Sequence, residues 1–353
     1  MLVLRKGTDK MDDLIKRFDS AANCTGLRIR RILLNLADEI KKNTCEIRLR
    51  CGRPLMLYGL YGALFVTQSG RESYIVTQNI VIVSINDIEE CFRSLCGYSV
   101  HTYQDAICRG YVTVNAGHRA GISGTAVISN GCVNAVKDIS SVNIRIAKEF
   151  KGISDALFEK IKANSWRSVI IAGPPSSGKT TVLRDLARNL ASEKGGYKRT
   201  VIIDEREEIA ACSNGIPQND VGLSSDVLSS YSKGEGVMVA LRSMSPENII
   251  LDEIGNDDEV FSIEAGFNSG VNFFLSVHAS DADDLLKRQV IKKLLLSGGF
   301  DVVVFLEGYN NPGEVVDCIA VGEILDKVCG RYIDINSNDN DRLLFRNENY
   351  AKS

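Results

Sequence analysis

The residues best suited to chemistry form one run, Gly173-Pro174-Pro175-Ser176-Ser177-Gly178-Lys179-Thr180-Thr181. Two glycines five positions apart let a backbone turn tightly enough for successive N–H groups to point at a single anion. Lys179 then brings charge to the β and γ phosphates of a nucleoside triphosphate, and the Thr180 hydroxyl can coordinate Mg²⁺. Hydrolysing such a substrate also needs carboxylates, one beside the metal and one at the attacking water. Two apolar runs each end in Asp-Glu: Val201-Ile202-Ile203-Asp204-Glu205 and Ile249-Ile250-Leu251-Asp252-Glu253. A third, Phe273-Phe274-Leu275-Ser276-Val277-His278, ends in histidine.

A phosphate loop works between a strand and a helix whose positive N-terminal end faces the anion. Ser168-Val169-Ile170-Ile171-Ala172 before it is a short β-branched run, and Val182, Leu183, Leu186, Ala187 and Leu190 after it fall at helical spacing. The acidic and histidine runs read as strands over 200–204, 248–252 and 272–278, with another over 301–306. Helices are predicted over 236–245, 258–268 and 281–297, the last capped by Asp281. Alternating strands and helices argue an α/β fold. Its mostly parallel sheet would carry helices on both faces, with strand C-termini converging at the phosphate loop.

Asp252 lies 73 residues beyond Lys179, a spacing that assigns it with Thr180 to Mg²⁺ and leaves Glu253 to position water. Asp204 and Glu205 are further candidates for the catalytic work. His278 can sense the γ phosphate, or simply be satisfied at a strand end. Arg145, Arg206 and Arg242 are candidates for neutralising phosphate charge, with surface ion pairs as the alternative for each.

The first half of the chain reads as a smaller α+β module. An amphipathic helix is predicted over 31–42 from Ile32, Leu33, Leu36 and Ile40, and a second behind Asn86 from Ile88, Cys91, Phe92 and Leu95. Glu46-Ile47-Arg48-Leu49-Arg50 alternates with period two, and further strands are suggested over 111–116, 121–129 and 142–147. No catalytic constellation stands out there.

Composition narrows the classes. A net charge of −3 over 353 residues gives no global basic field, so no nucleic-acid partner is expected. The eight Lys/Arg against three Asp/Glu over 24–53 fit a solvated helix surface. Ten scattered cysteines without a Cys-x-x-Cys pair, and three histidines, lack zinc spacing. Most are expected to be small core residues with free thiols, which points to a reducing cytosol. No secretory signal is evident. The longest apolar run, 55–66, has twelve residues including two glycines, whereas a spanning helix needs about 20.

Taken in order, the phosphate loop, Ile202-Ile203-Asp204-Glu205, the stretch 240–255 and Phe274-Leu275-Ser276-Val277-His278-Ala279 resemble the secretion ATPase superfamily, the motors of type II and type IV secretion and of pili. More narrowly, the chain resembles a stage III sporulation family of endospore-forming bacteria. That likeness runs through Glu46 to Leu55, Gly110-Tyr111-Val112-Thr113-Val114, Gly121 to Ala126 and Ile139 to Ala147. It implies a RecA-like ATPase domain over 163–334, preceded by an N-terminal extension (1–24) and an α+β module (25–162), and followed by a polar tail (335–353).

The resemblance also implies ATP and Mg²⁺ as ligands and a ring, a hexamer, of identical subunits. Its membrane partners would be integral sporulation or secretion proteins between mother cell and forespore, with the ring docked at the cytoplasmic, mother-cell face. Carried over, Asp204, Glu205 and Glu253 share the catalytic work and His278 is the sensor. Two departures stand out: Asp252 replaces a glycine usual in pilus motors, and Asp204-Glu205-Arg206 replaces Glu-Asp-Pro. A nucleic-acid-stimulated ATPase and a non-hydrolysing, ATP-dependent scaffold are the alternative readings.

Overall fold

The computed structural model describes residues 2–129 and 131–326, so the expected polar tail and a short strand near 331–333 lie outside the described residues. Two compact units emerge. One takes the chain up to Ile153 together with Arg184–Ser232; the other takes Ser154–Leu183 together with residues from Lys233 onward. In chain order the strands are β1 (Thr44–Arg50), β2 (Met56–Gly59), β3 (Gly62–Val66), β4 (Glu72–Ser73), β5 (Tyr111–Val114), β6 (His118–Ser129), β7 (Cys132–Arg145), β8 (Val169–Gly173), β9 (Thr200–Asp204), β10 (Ser225–Ser229), β11 (Asn248–Leu251), β12 (Asn272–His278), β13 (Val302–Leu306) and β14 (Val315–Ala320).

In the first unit β1 to β7 form an antiparallel sheet in the order β4-β3-β2-β1-β7-β6-β5. Period-two alternation decides its faces. Ile47, Leu49, Ile122, Val142 and Ile144 enter a core shared with Phe18, Ile29, Leu33, Ile88 and Cys91 of the flanking helices. Arg48, Arg119 and Asn143 alternate with them, and Arg48 and Arg119 lie over the rings of Tyr58 and Tyr111 at 4.8 and 4.5 Å. The same unit holds β9 and β10, paired in parallel from Thr200↔Ser225 to Asp204↔Ser229.

Several local expectations change. Residues set aside as an extension contribute helix Leu2–Asn23, whose Phe18, Ala21 and Ala22 are fully buried. The single helix expected over 31–42 is two, Leu27–Leu34 and Asp38–Asn43, because Ala37 is extended between them. The apolar spacing continues across that break, so periodicity alone could not reveal it. Ser84, not Asn86, caps helix Ile85–Leu95, through a capping box with Asp87.

The second unit holds a sheet in the order β11-β12-β8-β13-β14, parallel except for β14. β8, β11 and β13 are buried at every residue, which is why they read as unbroken apolar runs rather than alternating ones. Phe267 meets Phe273 and Phe300 edge-on at 5.0 and 5.1 Å, fixing helix Asp257–Asn268 to the sheet. One Asp301 oxygen accepts from the Arg167 and Ser168 amides and pins the start of β8. The helix expected over 281–297 is again two, Ala282–Lys287 and Gln289–Leu296, broken where Arg288 is extended. Asp281 caps the first as expected, accepting from the Asp284 amide at 2.8 Å.

Candidate functional site

The phosphate loop leaves the buried strand β8 and runs into helix Lys179–Leu190. Its shape depends on Gly178, which has φ +87°, and a Cβ there would meet the Gly313 nitrogen at 2.8 Å. That close approach has a purpose: the Gly313 amide donates to the Ser177 carbonyl at 2.7 Å, so the turn between β13 and β14 braces the loop from behind. The Ser177 hydroxyl is buried and has no hydrogen-bond partner among the described residues. A buried donor of this kind in a glycine-shaped cradle fits a polyanionic ligand.

Lys179 is only 7% exposed. Its ammonium donates to the Gly173 and Pro174 carbonyls, both at 2.8 Å, and contacts His278 Nδ1 at 2.9 Å. Burial pushes its pKa down; the charges of Glu253 and Asp252 oppose that, and Arg288 adds to it. An ammonium can only donate, so Nδ1 must accept and the neutral ring carries its proton on Nε2. That nitrogen lies 3.3 Å from Glu253 Oε2. A chain therefore runs Lys179, His278, Glu253, each linked to the next.

Asp252 is placed by register. Leu251 pairs with Leu275, so the next residue of the β11 run falls beside Ser276, whose hydroxyl donates to Asp252 Oδ1 at 2.8 Å. That bond occupies one of its two oxygens, and Asp252 and Thr180 are the residues that could hold Mg²⁺. Among the described residues no group of three or more His, Cys, Asp or Glu could hold a metal alone. Mg²⁺ commonly takes one or two carboxylates and completes its shell with substrate phosphates and water.

Asp204 behaves differently. It is 1% exposed, and its two oxygens accept from the amides of Glu208, Ile209, Ala210 and Ala211 at 2.8, 3.1, 2.8 and 3.3 Å. Burial pushes its pKa up while those four amides favour the anion. The loop it organises is gripped on several sides: Arg184 donates to the Ile209 and Glu208 carbonyls, and Arg119 to Glu208 and the Arg206 carbonyl. Glu205 next to it is exposed.

The structure thus brings Lys179, Asp252, Glu253 and His278 together in one unit, and gives Asp204 a web of backbone donors in the other. Of the three candidate arginines, Arg145 is 69% exposed and 3.7 Å from Glu46, while Arg206 and Arg242 are exposed. Sequence reasoning missed Ser276, Arg288 and the Gly313 brace. A lone serine inside the apolar β12 run, on the same face as His278, was the one readable sign. The cysteines also differ from expectation: all nine described are free thiols, but only Cys91, Cys96 and Cys212 are buried, and Cys51 and Cys132 are exposed.

A phosphate loop on a parallel sheet, with Asp252 and His278 at the ends of neighbouring strands, defines a RecA-like P-loop NTPase core. The structure of the pilus retraction motor PilT with bound ADP matches it with a TM-score of 0.52 at 14% identity, covering 84% of this chain and 86% of that one. The chain belongs to the family "Sporulation stage III, protein AA", whose model matches residues 16–322. Stage III sporulation protein AA of Bacillus subtilis (strain 168) is 37% identical over 272 residues, 76% of this chain and 84% of the relative. The uncharacterized protein ycf45 of Cyanidium caldarium is 31% identical over 191 residues, 54% of this chain and 55% of its own. No helix among the described residues is long and apolar enough to cross a membrane.

Proposed function

We propose that the protein is a Mg²⁺-dependent ATPase that energises or gates a membrane-spanning, secretion-like assembly during sporulation. The observation that carries this reading is the linked chain Lys179–His278–Glu253 at the mouth of the phosphate loop. The phosphates of ATP would take the place of the Gly173 and Pro174 carbonyls as partners of Lys179, and the loop amides with Ser177 would hold the remaining oxygens. Thr180 and Asp252 would hold Mg²⁺, which supplies charge neutralisation on the phosphate oxygens.

Glu253 orients the attacking water and takes its proton as the water oxygen bonds to the γ phosphorus and the bond to the β-phosphate oxygen breaks. His278 keeps Glu253 pointed at that water by donating from Nε2. We assign the water to Glu253 rather than to Asp204 or Glu205. Glu253 shares the lysine's hydrogen-bond chain, whereas both oxygens of Asp204 are committed to loop amides. In this reading residues 163–334 are the ATPase domain, 25–162 its partner module, and identical subunits form a ring, a hexamer. That ring docks on integral-membrane sporulation proteins at the mother-cell face of the forespore membrane.

The test is steady-state ATP turnover of the full chain. Lys179→Ala should reduce it by about 10²–10³-fold, the scale for removing one preorganised charge partner of the transition state, with the far-UV spectrum unchanged. Undiminished turnover in that variant would refute the site.

A further inference from the structure

The hairpin β6–β7 outgrows its sheet. β5 pairs with β6 only as far as Gly121, and β1 pairs with β7 only from Ser141 onward, while β6 and β7 continue together to Ser129↔Cys132. Beyond Ser123 every residue of β6 is exposed. A two-stranded ribbon in water is marginally stable by itself. Such ribbons usually carry charges or proline on their edges, which discourage a further strand from adding. Here no residue between Arg119 and Lys137 is charged and none is proline.

The two edges differ. On β7 the register shifts so that Asn134 is extra, and its carbonyl accepts from the Gln104 amide at 3.1 Å. That edge is bulged and partly occupied. On β6, Thr125 to Ser129 run without an inserted residue, about 17 Å of open edge at the usual rise per residue.

We propose that the open edge of β6 is a self-association site, pairing antiparallel with β6 of a second copy about a two-fold axis through Val127. The five residues are self-complementary in that arrangement. Val127 faces Val127, Ala126 faces Ile128, and the Thr125 hydroxyl faces the Ser129 hydroxyl, so apolar meets apolar and donor meets acceptor. Val127 and Ile128, 39% and 67% exposed, gain cover in the process. A lipid surface fits less well, because the ribbon carries a single lysine, Lys137 opposite Thr125, and none of the aromatic side chains that anchor at membrane interfaces. The pairing is independent of the nucleotide site, so Lys179→Ala should leave it intact.

Val127→Cys in the full chain should form a disulfide-linked dimer on mild oxidation, well above the level of the wild type. Leu60→Cys, 82% exposed on the β2–β3 turn, should not. Val127→Lys would set two ammonium groups face to face and should weaken concentration-dependent dimerisation in sedimentation velocity by at least about tenfold, with circular dichroism unchanged. Equal cross-linking at 127 and 60, or a Val127→Lys variant that sediments like the wild type, would overturn the proposal. So would Val127-dependent binding to phosphatidylserine vesicles by a protein that stays monomeric.

Discussion

β9 and the β11 run end in the same dipeptide, Asp-Glu, yet the two aspartates keep different company. Asp204 is sealed at 1% exposure with four amide donors on its two oxygens, whereas Asp252 has one serine hydroxyl on one oxygen. The glutamates follow suit. Glu253 is held by His278, each about one-third exposed, and both connect to the lysine of the phosphate loop. The contrast teaches that an identical acidic strand end can be closed into a structural clasp or left open to a ligand, and that its donors tell which. A carboxylate already saturated with amides has little capacity left for a water or a metal.

The sharpest test of that contrast is to neutralise each carboxylate in place. Glu253→Gln should lower ATP turnover by about 10²–10³-fold, as expected for removing a general base, with little change in urea midpoint. Asp204→Asn should do the reverse. Its amide replaces an acceptor oxygen with a donor facing two N–H groups, and stability should fall by about 3 kcal/mol, read by urea unfolding. If Asp204→Asn left stability unchanged and abolished turnover, the two roles would have to be exchanged.

A smaller effect separates the units by acidity. Burial, helped by Arg17, pushes the His118 pKa down to about 4, and the Ala147 amide donates to its Nδ1 at 3.1 Å. The folded chain thus binds fewer protons than the unfolded one, where histidine titrates near 6.5. Its contribution is complete above that value and is lost as pH falls toward 4. Between pH 7 and pH 5 the loss should be about 2 kcal/mol, and His118→Gln should flatten the dependence of the urea midpoint. The smallest expected change is at His278, whose replacement by Ala should cost about tenfold in kcat, the worth of one positioning hydrogen bond. Loss of binding without loss of kcat would make it a ligand contact instead.

Much of this was readable in the residues. The phosphate loop and its flanking strand and helix follow from glycine spacing and from apolar runs that can only be buried strands. β9 and β12 fall where β-branched and aromatic residues cluster. What escaped reading was set by contacts distant in sequence. Arg288 breaks a helix whose apolar spacing continues through it, and Ser276 matters only because register places it beside Asp252. The clasp around Asp204 was hidden for the same reason, since its donors are backbone amides and leave no mark on residue type.

The hydrogen bond from Gly313 to Ser177 ties the curvature of the phosphate loop to a turn more than 130 positions further along the polypeptide. A fragment ending after β13 would retain every residue of the glycine-lysine signature and still lose the support behind it. Mutational scans that probe only the glycine-lysine run would therefore overlook position 313, where φ is +89° and a side chain as small as alanine's would strain the turn that braces the loop.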